Sequence, residues 1–135
     1  MDFGNALDIS AAGMKVQGAR LRVIAENVAN ADATATTPGG EPYRRKTILF
    51  ESEFDKVLGA ELVAIKNVKP DKSDFGREFR PGHPAADAEG YVLTPNVNTL
   101  IEMTDMREAQ RSYEANLRVM RTVRQMLEQT VSILR

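Results

Sequence analysis

The residues best able to do chemistry in this chain are His83, Asp87 and Glu89, close together in one short segment. An imidazole beside two carboxylates invites a metal site or an acid–base pair. The surrounding pattern is poor for either. His83 is the only histidine and there is no cysteine, so the spacings that hold zinc or other transition metals are missing. Asp87 and Glu89 have the residue types of a hydrolytic carboxylate pair, as any acidic loop does. Arg80 to Gly90 carries Pro81, Gly82, Pro84 and Gly90, which makes His83 a hydrogen-bonding member of a stiff loop. No phosphate loop, dinucleotide fingerprint or nucleophile elbow occurs. The sequence predicts no enzyme, no cofactor and no metal. Arg44-Arg45-Lys46 is the one dense basic cluster, and it reads as a solvated strand end before it reads as a phosphate site.

The elements that position these residues are two terminal helices around a polar middle. From Asn98 to Arg135 the residues Met106, Tyr113, Met120, Leu127 and Leu134 recur every seven positions. Val119, Met126 and Ile133 flank them on one side, Leu117 and Val131 on the other. Thr104, Arg111, Arg118, Gln125 and Ser132, then Arg107, Glu114, Arg121, Glu128 and Arg135, form a charged back. This is one long amphipathic helix with Asn98 as its N-cap. At about 1.5 Å per residue it would exceed 50 Å and need partners along its length.

Phe3 to Asn30 predicts a second helix. Leu7, Met14, Leu21 and Val28 line one side beside Ala11, Gly18 and Ala25, while Ile9, Val16 and Val23 line a nearly opposite side. Such a helix must be sandwiched, and Gly13 and Gly18 weaken it further, by about 1 kcal/mol each against Ala. The reading is a helix frayed until partners clamp it; the bland alternative is a badly patterned core helix. Asn116 falls within the apolar face of the C-terminal helix, as a register-setting polar residue or a solvent-tolerant seam edge. Asn27 and Asn30 read as helix-end caps.

Residues 31–97 read as a turn-rich linker and a small β-rich insert. Strands are expected at Tyr43 to Ser52 and Glu61 to Val68, and short strands at Phe75 to Phe79 and Tyr91 to Thr94; Glu53 to Leu58 is ambiguous, a helical turn closed by Gly59 being one reading. The fold class is therefore mainly α with a small β-rich insert, divided as 1–30, 31–97 and 98–135. Eighteen basic against nineteen acidic residues leave no field for nucleic acid. No apolar run is long enough to span a membrane, and no cleaved secretion signal is evident. Absence of cysteine fits a cytosolic protein, or one that crosses a membrane unfolded.

Ser10-Ala11-Ala12-Gly13-Met14, Gln17, Arg20-Leu21 and Ile24 to Asp32 resemble the N-terminal signature of bacterial flagellar rod and hook proteins. Tyr43 to Lys46, Gly82-His83-Pro84, Ala86-Asp87, Gly90-Tyr91-Val92, Pro95 to Asn98 and Ser112 to Asn116 extend the resemblance in order along nearly the whole chain. The resemblance implies a structural axial subunit of the proximal rod, in the periplasmic part of the basal body. Copies and other rod proteins would stack into a helical tube around an export channel, with the two terminal helices paired as a coiled-coil-like hairpin in the inner layer. It also implies passage through the flagellar export apparatus without a cleaved signal, and rod-base and inner-membrane ring proteins as neighbours.

On that basis Leu7, Met14, Leu21 and Val28 should pack against Met106, Tyr113, Met120, Leu127 and Leu134 of the same subunit. Ile9, Val16 and Val23 should meet a neighbour. Tyr43, Arg44, Arg45, Pro81, Gly82, His83, Asp87 and Tyr91 are the expected contacts of the insert. Arg111, Arg118, Gln125 and Ser132 are the expected channel-facing column. The rival is a soluble intracellular dimeric coiled-coil adaptor with a small β head, and a third reading is a periplasmic hydrolase using Asp87 and Glu89.

Overall fold

The structure is a computed structural model, and it describes residues 3–134. Arg135, the last member of the expected charged column, lies outside the described residues. The elements in order are α1 (Phe3–Ala29), β1 (Lys46–Asp55), β2 (Ala60–Pro70), β3 (Gly76–Phe79), β4 (Tyr91–Thr94) and α2 (Thr99–Ile133). Two two-stranded sheets form, β1 with β2 and β3 with β4. Asn98 caps α2: its Oδ1 accepts the N–H groups of Leu100 at 3.1 Å and Ile101 at 3.3 Å. These are donors that the first helical turn leaves without carbonyl partners.

The ambiguous segment Glu53 to Leu58 is strand and turn, not a helical turn. β1 runs on to Asp55, and a turn joins it to β2, making a hairpin. Asp55 fixes this turn by accepting the N–H groups of Val57 and Leu58, and Gly59 takes φ of 62°. Glycine reaches that region without the Cβ penalty, so it ends the turn.

The chain forms two compact units, and α1, β1, β2 and α2 each run through both. Among the described residues, unit one comprises 3–21, 49–67 and 107–134. Here Val16 is 3% exposed. It lines a cavity with Ala12 of α1 and with Leu62, Val63, Ala64 and Ile65 of β2. The second apolar side of α1 is thus met by this chain's own hairpin, whereas the sequence reading had assigned it to a neighbour. Ile9 lines an adjoining cavity with Phe50 and Leu62 and stays exposed.

Also in unit one, the α1 positions that meet α2 are Gly13, over which the amide of Asn116 lies, and Arg20, paired with Glu108 at 3.5 Å. These pairings run in opposite directions along the two helices. Ala109 and Val123 are buried, while Met106, Met120 and Leu127 are half-buried and Tyr113 and Leu134 are exposed. The most buried line of α2 is therefore Glu102, Ala109, Asn116 and Val123. It lies roughly 40–60° around the helix from the expected column, at 100° per residue. Asn116 of this line lies against Gly13, where a larger α1 residue would collide with it.

A Cβ on Gly13 would stand 2.8 Å from Asn116 Nδ2 and 3.0 Å from its Cγ. Two effects oppose each other there: Ala gains about 1 kcal/mol of helix propensity, and the amide must be displaced. Gly13→Ala should lower stability in the unaltered chain. In an Asn116→Ala background it should raise stability by about 1 kcal/mol, the full propensity gain. Urea unfolding of the four proteins of this cycle reads the reversal of sign.

Unit two comprises residues 22–48 and 68–106. β3 and β4 pair antiparallel from Gly76–Thr94 to Phe79–Tyr91. Val92 is buried, and Phe79 and Tyr91 meet edge to face at 5.3 Å. Gly90, at φ of 85°, lets the preceding loop close: its carbonyl accepts the Arg80 N–H at 2.9 Å, and a Cβ there would stand 2.9 Å from Phe79.

Candidate assembly interface

The side chains that first suggested catalysis are used as loop fasteners. The Ala85 N–H donates to His83 Nδ1 at 3.1 Å, so the ring proton sits on Nε2 and is directed at Thr34 Oγ1, 3.2 Å away. Asp87 Oδ1 accepts the N–H groups of Tyr91 at 2.8 Å and Glu89 at 3.0 Å, and its Oδ2 accepts from Arg77 at 3.1 Å. Arg77 also lies 3.7 Å from Glu89 and stacks over the Tyr91 ring. Both carboxylates thus answer to one guanidinium. Among the described residues no group of three or more His, Asp or Glu is arranged to hold a metal.

These fasteners set an acid limit. The Asp87 carboxyl is held below its ordinary value of 3.8, first by the Tyr91 N–H and then by Glu89 and Arg77. Asp71 is held below the same value, first by the Ser73 N–H, then by the Ser73 hydroxyl and Arg45. A depressed folded-state pKa contributes stability that is fully present above the unfolded value and is lost as pH falls through the folded one. Unfolding midpoints should therefore decline below about pH 4, and Asp87→Asn should shallow that decline. A decline as steep in Asp87→Asn as in the parent would refute the assignment to Asp87.

The densest polar construction lies in unit two and centres on Asn27, which is 1% exposed, as is Glu102. Asn27 Nδ2 donates to the Lys46 carbonyl at 2.8 Å and to Glu102 Oε2 at 3.1 Å. Its Oδ1 accepts from Tyr43 Oη and from the Lys46 N–H, each at 2.9 Å. Both donors and both lone pairs are used, and the amide pairs with Lys46 as a neighbouring strand would. Glu102 accepts from Arg45 Nε at 2.5 Å, and Arg45 also pairs with Asp71 at 3.3 Å. Burial opposes the charge of Arg45, but the hydrogen bond and charge of Glu102, then those of Asp71, outweigh it and raise its pKa. Burial and then the charge of Glu26 raise that of Tyr43.

Asn96 completes the framework. Its Oδ1 accepts the Arg45 N–H at 2.8 Å, and its Nδ2 donates to Ser73 Oγ at 2.8 Å. Arg44 donates to the carbonyls of Asp71 and Ser73 and stacks over Phe75 at 4.0 Å. Tyr43, Arg44 and Arg45, expected as contacts to neighbours, are thus spent inside the chain, because its own carboxylates and carbonyls surround them. His83 and Asp87 are spent likewise, while Pro81, Gly82 and Tyr91 are exposed. Sequence reasoning took Asn27 for a helix-end cap and did not single out Glu102 or Asn96. The one available signal was a glutamate at the edge of an apolar stripe.

Many apolar side chains remain open to a partner. Only Val16, Ile24, Ala85, Val92, Ala109 and Val123 are buried hydrophobic residues among those described. Leu100 is 73% exposed, and Ile101, Met103, Val119, Val131, Ile133 and Leu134 on the same helix are exposed as well. Arg111, Arg118, Gln125 and Ser132 form an exposed polar line on α2. No described helix is long and apolar enough to cross a membrane.

Open apolar surface of this extent is characteristic of a component of an assembly. Residues 88–133 match the family described as flagellar basal body rod FlgEFG protein, C-terminal. Flagellar basal-body rod protein FlgC of Agrobacterium fabrum is 52% identical over 130 residues, covering 96% of this chain and 94% of that protein. FlgC of Salmonella typhimurium is 37% identical over 129 residues, and FlgC of Bacillus subtilis 36% over 144, each covering 96% of both chains. The chain belongs to the FlgC family of flagellar basal-body rod proteins. It is a structural component of the basal body, assembles with other rod proteins, and is not an enzyme.

Proposed function

We propose that this chain is an axial subunit of the proximal rod, polymerising through its terminal helices to build the drive shaft around the export channel. The observation that carries this reading is the set of apolar residues of α2 left open to solvent towards both helix ends, at Ile101 and Met103 and again at Val131, Ile133 and Leu134. α1 and α2 pair along their lengths as a coiled-coil-like hairpin, and their remaining faces are completed by copies and by other rod proteins in a tube within the periplasm. A contact that repeats without closing generates such a tube. Arg111, Arg118, Gln125 and Ser132 face the channel, where a wetted lumen favours a column without apolar groups. The chain reaches its place through the flagellar export apparatus, near the rod base and the inner-membrane ring.

Deleting the chain in its source bacterium tests the reading. Basal bodies should then lack a rod, and both the unaltered chain and Gln125→Glu should restore rods and swimming. A normal rod formed without the chain would overturn the proposal. The rival dimeric adaptor predicts a discrete dimer in dilute solution, which sedimentation of the purified chain distinguishes from the monomer expected here.

A further inference from the structure

The hairpin of β1 and β2 is a two-stranded sheet, so among the described residues each strand has one edge with no strand beside it. Along such an edge alternate residues direct their N–H and C=O groups outward. From Leu49 to Phe54 every residue of β1 is exposed, whichever face it points to. Leu49 is 44%, Phe50 37% and Phe54 59% exposed. No Pro, Gly or Lys interrupts this run. Strand edges that meet only water are usually blunted by such residues, and a long apolar edge without them pairs with another strand.

Charge decides which strand. Between Leu49 and Asp55, β1 carries Glu51, Glu53 and Asp55 and no cation. Alternation puts these three carboxylates on one face. A two-fold antiparallel pairing of β1 with β1 of a second copy keeps like faces together. It therefore sets those carboxylates opposite one another, which destabilises the pair. β2 has the matching character, with Lys66 and Lys69 against one carboxylate, Glu61. Within the chain it already complements β1: Lys66 pairs with Glu51 at 3.3 Å, and the Ser52 hydroxyl donates to Glu61 at 2.9 Å. The side chains of a strand interact with neighbours on both of its edges. What holds β2 on the inner edge of β1 is thus offered again on the outer edge.

We propose that β2 of a second copy adds antiparallel to the outer edge of β1 between Leu49 and Phe54, joining two hairpins into one four-stranded sheet. The two edges in contact belong to different strands, so the pairing repeats from copy to copy and does not close on two. Six paired residues bury far less than the roughly 1,000 Å² that a stable complex needs. The pairing therefore adds to the helix contacts within the rod and leaves the free chain monomeric. The inference rests on the rod reading and names one of its contacts.

The chain has no cysteine, so substitutions introduce the only thiols. Ser52→Cys chains are expressed together with Glu61→Cys, Val63→Cys or Lys66→Cys chains in place of the natural copy, and purified basal bodies are oxidised. Adjacent strands bring opposite Cα atoms within about 5.5 Å, whereas the β1 strands of successive copies stand about 10 Å apart, beyond a disulfide's reach. Linked dimers should form in at least one of the three mixtures, and with Ser52→Cys alone in none. Phe54→Lys should reduce rod numbers several-fold while the free variant keeps the parent's helix content and Tm. Dimers of Ser52→Cys alone would overturn the choice of β2. Rods that form and turn with no linked dimer in any mixture would overturn the pairing and leave the rod reading standing. A photo-crosslinker at position 52 that captures a different basal-body protein would overturn the second copy as occupant. If the unaltered chain is missing from purified basal bodies, the rod reading fails and takes the pairing with it.

Discussion

Asn27→Ala is expected to lower the stability of the purified subunit by about 3 kcal/mol or more, read from urea unfolding. Four bonds vanish at once: those to the Lys46 N–H and carbonyl, to the Tyr43 hydroxyl and to Glu102. A buried group left without its partner costs about 1–3 kcal/mol, and Glu102 has almost no solvent to fall back on. Asn27→Asp separates this loss from simple truncation. Its oxygens still accept from Tyr43 and the Lys46 N–H, but both donated bonds are gone and a second carboxylate stands against Glu102. Like charges at that distance raise the pKa of the pair in the folded state. Such a pair favours folding while protonated and loses that advantage as pH rises. The deficit of Asn27→Asp against the parent should accordingly widen from acid toward neutral pH. An Asn27→Ala loss below about 1 kcal/mol would show that water replaces the amide, and the framework would then be incidental.

Ile101→Glu is expected to abolish rod assembly and swimming while leaving the free subunit's Tm and helix content unchanged. The position is exposed in the first turn of α2. A carboxylate there is solvated in the free chain and even suits the positive end of the helix dipole. Buried against an apolar neighbour, the same charge costs several kcal/mol. Val16→Glu is the informative contrast. It places a charge among Ala12, Leu62 and Ile65 of its own chain, so it should unfold the subunit before assembly is attempted. Sedimentation and circular dichroism of the free variants, with counts of basal bodies in the corresponding strains, separate the two failures. Swimming cells carrying Ile101→Glu would contradict the account.

The long helices were legible because α2 keeps its seven-residue repeat and because Asn98 is a strong cap. The short β3–β4 pair was legible from its Pro and Gly boundaries. The seam was not. Large apolar residues point to Met106, Tyr113 and Met120, whereas the close approach shown is that of Gly13 to the flat amide of Asn116, and Ala109 is more buried than any of the three. The second face of α1 was given to a neighbour because the middle of the chain read as polar. The extension of β1 to Asp55 put a hairpin beside Val16, a long-range placement that no local pattern encodes. Arg44 and Arg45 were read as outward contacts for the same reason: their partners Asp71, Ser73 and Glu102 lie far along the sequence. His83 and Asp87 accept loop N–H groups, and Glu89 meets Arg77, pairings that residue types alone do not reveal.

The most direct measurement compares hydroxyl-radical oxidation of the free subunit with that of the chain in intact basal bodies, residue by residue. Met103, Val131 and Ile133 are open in the single chain and should become strongly protected in the rod, while the solvated Gln125 column keeps access to water through the channel. Equal oxidation of those three residues in both states would contradict the claim that other subunits complete the apolar faces of α2.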